Sequence, residues 1–183
     1  MESLESQLLV AVPQLPDTNF YHTVVLMVQH DEEGALGLVL NRPSDVLLAD
    51  VWRNLTGEEI PSRQSLFFGG PVDGPMMAIH QNAQFADSTI GDTIYLATQK
   101  SSIEALIESG STQSQYFTGY AGWGSGQLES ELDYGGWFVT PSKPDYLFGA
   151  HEDLWKKVTQ DIGERILMSS LSGQEVPIDP SLN

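Results

Sequence analysis

Cysteine is absent from the 183 residues of this sequence, and its absence excludes several kinds of chemistry. A chain without thiols forms no disulfide framework, no thiolate metal site and no cysteine nucleophile. The four histidines, His22, His30, His80 and His151, are not spaced three or four residues apart, so no histidine metal site is predicted. A phosphate-binding glycine loop with lysine and a dinucleotide-binding fingerprint are also missing. We therefore predict neither a metal nor a cofactor.

Positive charge is scarce. Eight Lys and Arg residues stand against 25 Asp and Glu residues, which gives a formal net charge of −17, and the first cation along the chain is Arg42. Nucleic acids are held largely by Lys and Arg residues that neutralise phosphates, and a strongly acidic surface repels a polyanion. The composition therefore argues against direct binding of nucleic acid and against an anionic membrane surface.

Long hydrophobic runs and a basic leader are missing as well. The apolar run 8–12 is much shorter than the roughly 20 residues that span a bilayer. Glu2 and Glu5 stand where a secretory signal peptide carries positive charge. We therefore expect no membrane span and a cytoplasmic location.

Apolar residues are nevertheless plentiful enough for a core. Hydrophobic residues make up 40% of the chain, and a domain of this length hides roughly 70% of its unfolded surface. We expect one domain over residues 1–183, with an ordered core over about 8–167. The polar segment 169–183 contains two prolines and is expected to fray.

Strand-like and helix-like segments alternate irregularly along the chain. Apolar or β-branched segments predict strands at 8–12, 23–28, 35–40, 66–68, 76–80, 93–98, 116–121 and 137–140. Apolar spacings of three and four predict helices at 47–55, 101–110 and 152–167, with a short one after Ser125. Ser44 or Asp45, Ser101 and Ser125 are the expected helix caps, and Gly163 is expected to weaken or split the last helix. This order predicts an α+β domain with a mixed, strongly curved, barrel-like sheet and peripheral helices.

Two short motifs follow predicted strands and carry alternative interpretations. In Asn41-Arg42-Pro43, the planar guanidinium of Arg42 suits a carboxylate or phosphate ligand, or else an internal partner such as Asp17 or Asp45. In Gly69-Gly70-Pro71, the glycines permit close backbone approach to a ligand, or else a plain hairpin turn.

The stretch 119–129 is the most unusual, because four glycines flank two large aromatic residues. Its alternatives are an anion-binding strand-to-helix loop and a tight crossing with buried aromatics. Taken together, the three motifs give the following candidate ligand-binding residues: Asn41, Arg42, Pro43, Gly69, Gly70, Pro71, Tyr120, Gly122, Trp123, Gly124, Gly126 and Gln127.

His80 is a candidate for catalysis. It ends a predicted strand, and the pKa of a free imidazole suits proton transfer near neutral pH. The alternative, a histidine that bonds a nearby carbonyl or water, is the more common situation for such a residue.

The ordered combination of these motifs resembles the YqgE/AlgH family of bacterial proteins. The segments LLVAVPQLPDTNFYHTVVLMVQHDEEGALGLVLNRP, FFGGPV and GYAGWGSGQLESEL carry the resemblance, which runs from about residue 8 to residue 167. Two positions depart from the family pattern: Ser125 stands where alanine is usual, and Tyr134-Gly135-Gly136 precedes Trp137 where an asparagine is expected.

The resemblance implies a fold more than an activity. It implies a single α+β domain with a closed or nearly closed barrel-like sheet and peripheral helices, and it supplies no catalytic residues. One branch of the family is called a transcriptional regulator of alginate synthesis.

Three functions compete at this point. We favour a non-enzymatic binding or regulatory module for a protein partner or small ligand. The alternatives are a hydrolase-like enzyme, with His80 or a carboxylate as base and the 122–126 loop holding an anion, and a transcriptional regulator that acts indirectly. If Arg42, Gly70 and Trp123 line one pocket, the motifs form a site; if they lie apart, the motifs are scaffold.

Overall fold

The protein folds as one α+β domain built on two β-sheets. The computed structural model describes residues 3–60, 62–111, 113–149 and 151–172. The first sheet contains β1 (Gln7–Ala11), β2 (Val24–Asp31), β3 (Gly34–Val39), β10 (Ala121–Gly124) and β11 (Trp137–Pro141). The second sheet contains β4 (Pro43–Leu47), β5 (Ser65–Phe68), β6 (Met77–His80), β7 (Ser88–Ile90), β8 (Ile94–Ala97) and β9 (Ser114–Thr118).

The helices surround these sheets. They are α1 (Leu48–Thr56), α2 (Lys100–Glu108), α3 (Gln127–Asp133), α4 (Pro144–Leu147) and α5 (Leu154–Ser172), with a short 3₁₀ turn at Ala83–Phe85. In the described part of the chain, no helix combines the length and the apolar character of a bilayer span.

The expected single barrel-like sheet is wrong, because the strands form two open sheets. The first has the order β10-β3-β2-β1-β11 with antiparallel neighbours, and its outer strands β10 and β11 do not pair. The second has the order β4-β5-β9-β6-β8-β7, in which only β5 and β9 are parallel. The segment 116–121, expected as one strand, is divided at Gly119, whose φ of 70° turns the chain from β9 into β10.

The central strands of the first sheet are buried on both faces. Successive side chains of a strand point to opposite faces, and in β1 Leu8 and Val10 join the large core cluster that includes strands of both sheets and α5. Leu9 and Ala11 join a second cluster on the other face, which contains Trp123 and Trp137. This two-sided burial explains why the strand sequence is continuously apolar rather than alternating.

The starts of the helices differ from the expected caps. Ser44 and Asp45 lie in β4, and α1 begins without a side-chain cap. Helix α2 also begins without a side-chain cap at its N-cap residue, Gln99; Asp87 accepts hydrogen bonds from Thr98 N at 2.6 Å and Gln99 N at 2.7 Å, directly before the helix. The prediction of Ser101 as the cap is wrong, because Ser101 lies within α2 and Gln99 takes the N-cap position.

The remaining two helix expectations also differ from the structure. Ser125 donates to the Glu32 carbonyl at 2.7 Å, and Gly126 takes the N-cap position of α3 with a φ of 72°. Helix α5 is continuous through Gly163 and includes residues 169–172. The other residues of the segment expected to fray, 173–183, lie outside the described residues.

Candidate functional site

The Asn41-Arg42-Pro43 motif is tied to the loop before β2. The side-chain oxygen of Asn41 accepts from Val24 N at 3.0 Å, and its amide nitrogen donates to the His22 carbonyl at 2.8 Å. Arg42 Nη2 donates to the Tyr21 carbonyl at 2.9 Å. Among the described residues Arg42 makes no ion pair, so neither Asp17 nor Asp45 neutralises its charge.

The Gly69-Gly70-Pro71 motif lies where the two sheets meet. Gly69 N donates to the Thr118 carbonyl at 2.9 Å, and Gly69 O accepts from Val39 N at 2.8 Å. A Cβ atom on Gly69 would lie 2.3 Å from the Gly119 carbonyl oxygen, and one on Gly70 would lie 2.2 Å from the Tyr120 carbonyl carbon. The two glycine motifs therefore pack backbone against backbone.

Pro71 and Tyr120 complete this junction. Val72, which follows Pro71, pairs with Tyr120 through two hydrogen bonds of 3.0 Å. The Tyr120 side chain is half-buried against the large core cluster. Gly122 is exposed at the edge strand β10, where a Cβ would meet only ordinary contacts at 3.4 Å.

The second half of the glycine-rich stretch converges on Glu131, a residue that the sequence reasoning did not select. Trp123 is buried, and its indole Nε1 donates to Glu131 Oε2 at 3.0 Å. Trp137 Nε1 donates to the same oxygen at 2.9 Å. Gln127 accepts from Gly124 N at 3.1 Å and donates to Glu131 Oε1 at 3.0 Å. Trp123 and Gln127 from this stretch, together with Trp137, thus fix the position of one carboxylate.

Glu131 faces a cleft of about 480 Å³, which we call the Glu131 cleft. Phe20 stacks on Trp123 with ring centroids 5.8 Å apart and lies edge-on to Trp137 at 5.4 Å. The residues that line the cleft include Leu15, Asp17, Phe20, Glu131, Tyr134 and Trp137. The cleft thus combines aromatic walls with two carboxylates.

The anion-binding alternative for the 122–126 loop has little electrostatic support. Glu129 stands in the first turn of α3, the short helix that follows the loop. Its own backbone N–H and His30, whose Nε2 lies 2.9 Å from Glu129 Oε1, hold the pKa of this carboxyl below its usual range. Negative charge at this helix start disfavours an anion there.

His80 lies inside the second sheet. Its side chain is fully buried, its Nδ1 accepts from Asn82 N at 3.3 Å, and its ring lies 5.9 Å from that of Tyr95. Burial lowers the pKa of His80, although the nearby Asp87 opposes the shift. The ring is therefore a neutral imidazole at pH 7, and it does not line the Glu131 cleft.

A second cleft, of about 320 Å³, contains polar side chains that the sequence reasoning missed; we call it the Gln115 cleft. Gln115 Nε2 donates to the Leu40 carbonyl at 3.0 Å, whereas its Oε1 is buried without a partner. His151 Nδ1 is likewise buried without a partner, and burial lowers the pKa of this histidine. Pro43 is the one candidate residue from the three motifs that lines this cleft.

Arg42, Gly70 and Trp123 have different surroundings. Arg42 bonds a main-chain carbonyl, Gly70 packs in the sheet junction, and Trp123 is buried beside Glu131. The first motif therefore fastens the loop before β2, the second packs where the two sheets meet, and the third positions a carboxylate. No sequence signal pointed to Gln115 or His151, because they are distant in sequence and flank no motif.

The fold and these motif positions define an AlgH-like protein. A family model of that description matches residues 8–167, so the chain belongs to the AlgH-like family, and the resemblance to the YqgE/AlgH family is confirmed. A UPF0301 protein of Xanthomonas campestris pv. campestris (strain B100) is 39% identical over 168 residues, which cover 87% of this chain and 89% of that protein. A UPF0301 protein of Stenotrophomonas maltophilia is 37% identical over 169 residues, covering 88% and 90%.

Solved structures show the same architecture. The solution structure of the AlgH protein from Pseudomonas aeruginosa matches with a TM-score of 0.73 and 31% identity, covering 94% of both chains. A crystal structure of a Corynebacterium diphtheriae protein matches with a TM-score of 0.71 and 26% identity, covering 88% of both chains.

Proposed function

We propose that this protein is a non-enzymatic, cytoplasmic binding module whose Glu131 cleft takes a small organic cation. The observation that carries the proposal is the state of the Glu131 carboxylate. It is half-buried and held by three neutral N–H groups, and among the described residues no cation pairs with it.

Neutral donors fix a carboxylate without cancelling its charge. A carboxylate offers about four lone-pair positions, and the two indoles and the Gln127 amide occupy three of them. The remaining position on Oε1 suits an ammonium N–H, because hydrogen bonds between ionised groups are roughly twice as strong as neutral ones. The carboxylate is thus positioned in advance for a charged donor.

The walls of the cleft suit the rest of such a ligand. A cation over an aromatic face gains about 0.5–2 kcal/mol, and Phe20, Tyr134 and Trp137 line the cleft. Tyr134 is 92% exposed, so its ring is free to cover a bound ligand. The volume of about 480 Å³ lies within the range of small-molecule sites.

The whole-molecule charge supports the same choice of ligand. A net charge of −17 raises the local concentration of cations and repels polyanions. We therefore propose that the protein does not bind nucleic acid directly and that any regulatory role is exercised through the ligand or a protein partner.

The test is calorimetric titration of the protein with butylammonium, with tetramethylammonium and with neutral butanol, at about 0.15 M salt to screen unspecific attraction. Butylammonium is expected to bind, and butanol is expected not to bind. Tetramethylammonium has no N–H to donate to Glu131 and is expected to bind more weakly, through the aromatic walls alone. Glu131→Gln should weaken binding about tenfold or more. Glu129→Gln, which changes a carboxylate on the same helix, is the matched control and should leave binding unchanged. Equal affinities for Glu131→Gln and the wild type would contradict the proposal.

A further inference from the structure

The Gln115 cleft is separate from the Glu131 cleft and has its own chemistry. We propose that it is a second binding site, for a small, uncharged, planar heteroaromatic molecule of the nucleobase or nucleoside type. The inference goes beyond the proposed function, since it rests on different residues and a different cavity.

Unpaired buried atoms are concentrated at this cleft. In the described part of the chain, four side-chain nitrogen or oxygen atoms are buried without a partner, and two of them, Gln115 Oε1 and His151 Nδ1, belong to residues of this one cleft. Gln115 is only 4% exposed. Buried polar groups are almost always paired, so two such atoms at one cavity indicate hydrogen bonds completed by a bound molecule.

The orientation of the Gln115 amide defines what it offers. Because Nε2 donates to the Leu40 carbonyl, the oxygen is the atom left over, and it is an acceptor. A ligand must therefore bring a donor, such as a ring or exocyclic N–H. His151 Nδ1 belongs to a neutral imidazole, since burial lowers its pKa, and a neutral ring nitrogen either donates or accepts.

The shape of the walls favours a flat ligand. Phe67, Tyr116 and Phe148 line the cleft, and the His151 ring lies edge-on to Phe67 at 4.9 Å. Aromatic faces stack on planar rings of any base, with little dependence on sequence or ring identity. A volume of about 320 Å³ accommodates a base with its sugar rather than a longer molecule.

The charges at this cleft discriminate against phosphate. Among the described residues that line it, none is Lys or Arg, and Glu152 contributes a negative charge. A phosphate group would therefore enter without a cationic partner, next to a carboxylate and within a strongly negative field. The structure thus predicts a preference for nucleosides over nucleotides.

The test is ligand-observed NMR followed by calorimetry with adenosine, guanosine, cytidine, uridine and their monophosphates. At least one nucleoside should bind, and the affinity for its monophosphate should be lower by about tenfold or more. His151→Phe and Gln115→Met should each weaken nucleoside binding about tenfold. His151→Asn keeps a polar atom near the position of Nδ1 and should retain part of the affinity.

Glu131→Gln is the control that separates this inference from the proposed function, and it should leave nucleoside binding unchanged. The proposal is overturned if no nucleoside binds at concentrations up to about 5 mM, if monophosphates bind as tightly as nucleosides, or if His151→Phe binds like the wild type. Circular dichroism of each variant establishes that the fold is kept. If Gln115→Met does not fold, His151→Phe alone tests the proposal.

Discussion

At the scale of single residues, the molecule carries polar atoms at an energetic cost. A buried polar group without a partner costs about 1–3 kcal/mol, and Gln115 Oε1 and His151 Nδ1 are both in this state. The ligand proposed for the Gln115 cleft would complete their hydrogen bonds. Removing one should therefore stabilise the ligand-free protein while weakening binding.

The first prediction concerns His151→Phe in the absence of ligand. The variant removes an unpaired nitrogen and keeps a ring beside Phe67, so the free energy of unfolding should rise by about 1 kcal/mol. In a protein of this size, thermal unfolding should shift upward by about 2–4 °C. A lower transition temperature would show that Nδ1 is paired in solution.

The second prediction concerns acid. Burial lowers the pKa of His80 and His151 in the folded protein below the ordinary value of 6.5. Below pH 6.5 the unfolded chain therefore binds more protons than the folded one, and stability falls as the pH falls towards the folded pKa values. Carboxyl groups titrate near pH 4 and act at lower pH.

Urea unfolding midpoints between about pH 7.5 and pH 5.5 measure this effect. As the pH is lowered, the midpoint should fall to lower urea concentration in the wild type, and it should fall less in His151→Phe. A midpoint independent of pH in the wild type would show that these histidines are not buried as described.

At the scale of elements, local patterns predicted most strands and helices but not how the sheets divide. Strands β2 and β3 follow from apolar, β-branched segments, and helices α1 and α5 follow from apolar spacings of three and four. Strand β4 was missed because its sequence, Pro-Ser-Asp-Val-Leu, does not alternate between apolar and polar residues. The division into two sheets depends on contacts between Gly69-Gly70 and Gly119-Tyr120, which are distant in sequence.

The sequence likewise predicts only part of the candidate site. The 119–129 stretch drew attention because its composition is unusual, and Trp123 and Gln127 do converge on one carboxylate. Glu131 itself escaped notice because an acidic residue is unremarkable in a chain with 25 of them. Trp137, the second indole donor, reaches the same oxygen only once β11 has paired with β1.

The third prediction tests the junction of the sheets. A Cβ on Gly119 would lie 2.7 Å from the Val72 carbonyl oxygen, and the φ of 70° strains any other residue. Gly119→Ala should therefore reduce the free energy of unfolding by about 2 kcal/mol or more. Gly122→Ala is the control, since its Cβ meets ordinary contacts, and it should change stability by less than about 0.5 kcal/mol. Equal unfolding midpoints for the two variants would show that the close packing at Gly119 does not contribute to stability.

At the scale of the whole molecule, negative charge is the dominant property. A net charge of −17 on one small domain produces repulsion that favours expansion. In the described residues only a few exposed Lys and Arg side chains form ion pairs, such as Arg53 with Asp50 and Lys156 with Asp153, so little of the charge is compensated locally. The net field of the molecule therefore attracts cations and repels polyanions.

The fourth prediction follows from screening. Raising sodium chloride from about 0.01 M to about 0.15 M shortens the Debye length from roughly 30 Å to roughly 8 Å. The repulsion between carboxylates then falls, so the transition temperature should rise by a few degrees. A transition temperature that falls with salt would mean that ion pairs outweigh the net repulsion.

A cation bound to Glu131 between the aromatic walls would lie next to two indole N–H groups, whose signals report on it directly. Trp123 and Trp137 donate to Glu131, whereas Trp52 lies in α1 and has no such contact. Titration of the ¹⁵N-labelled protein with butylammonium, followed by proton–nitrogen correlation spectra, should shift the indole signals of Trp123 and Trp137 to saturation and leave that of Trp52 in place. Indole signals of Trp123 and Trp137 that stay fixed throughout the titration would contradict the account.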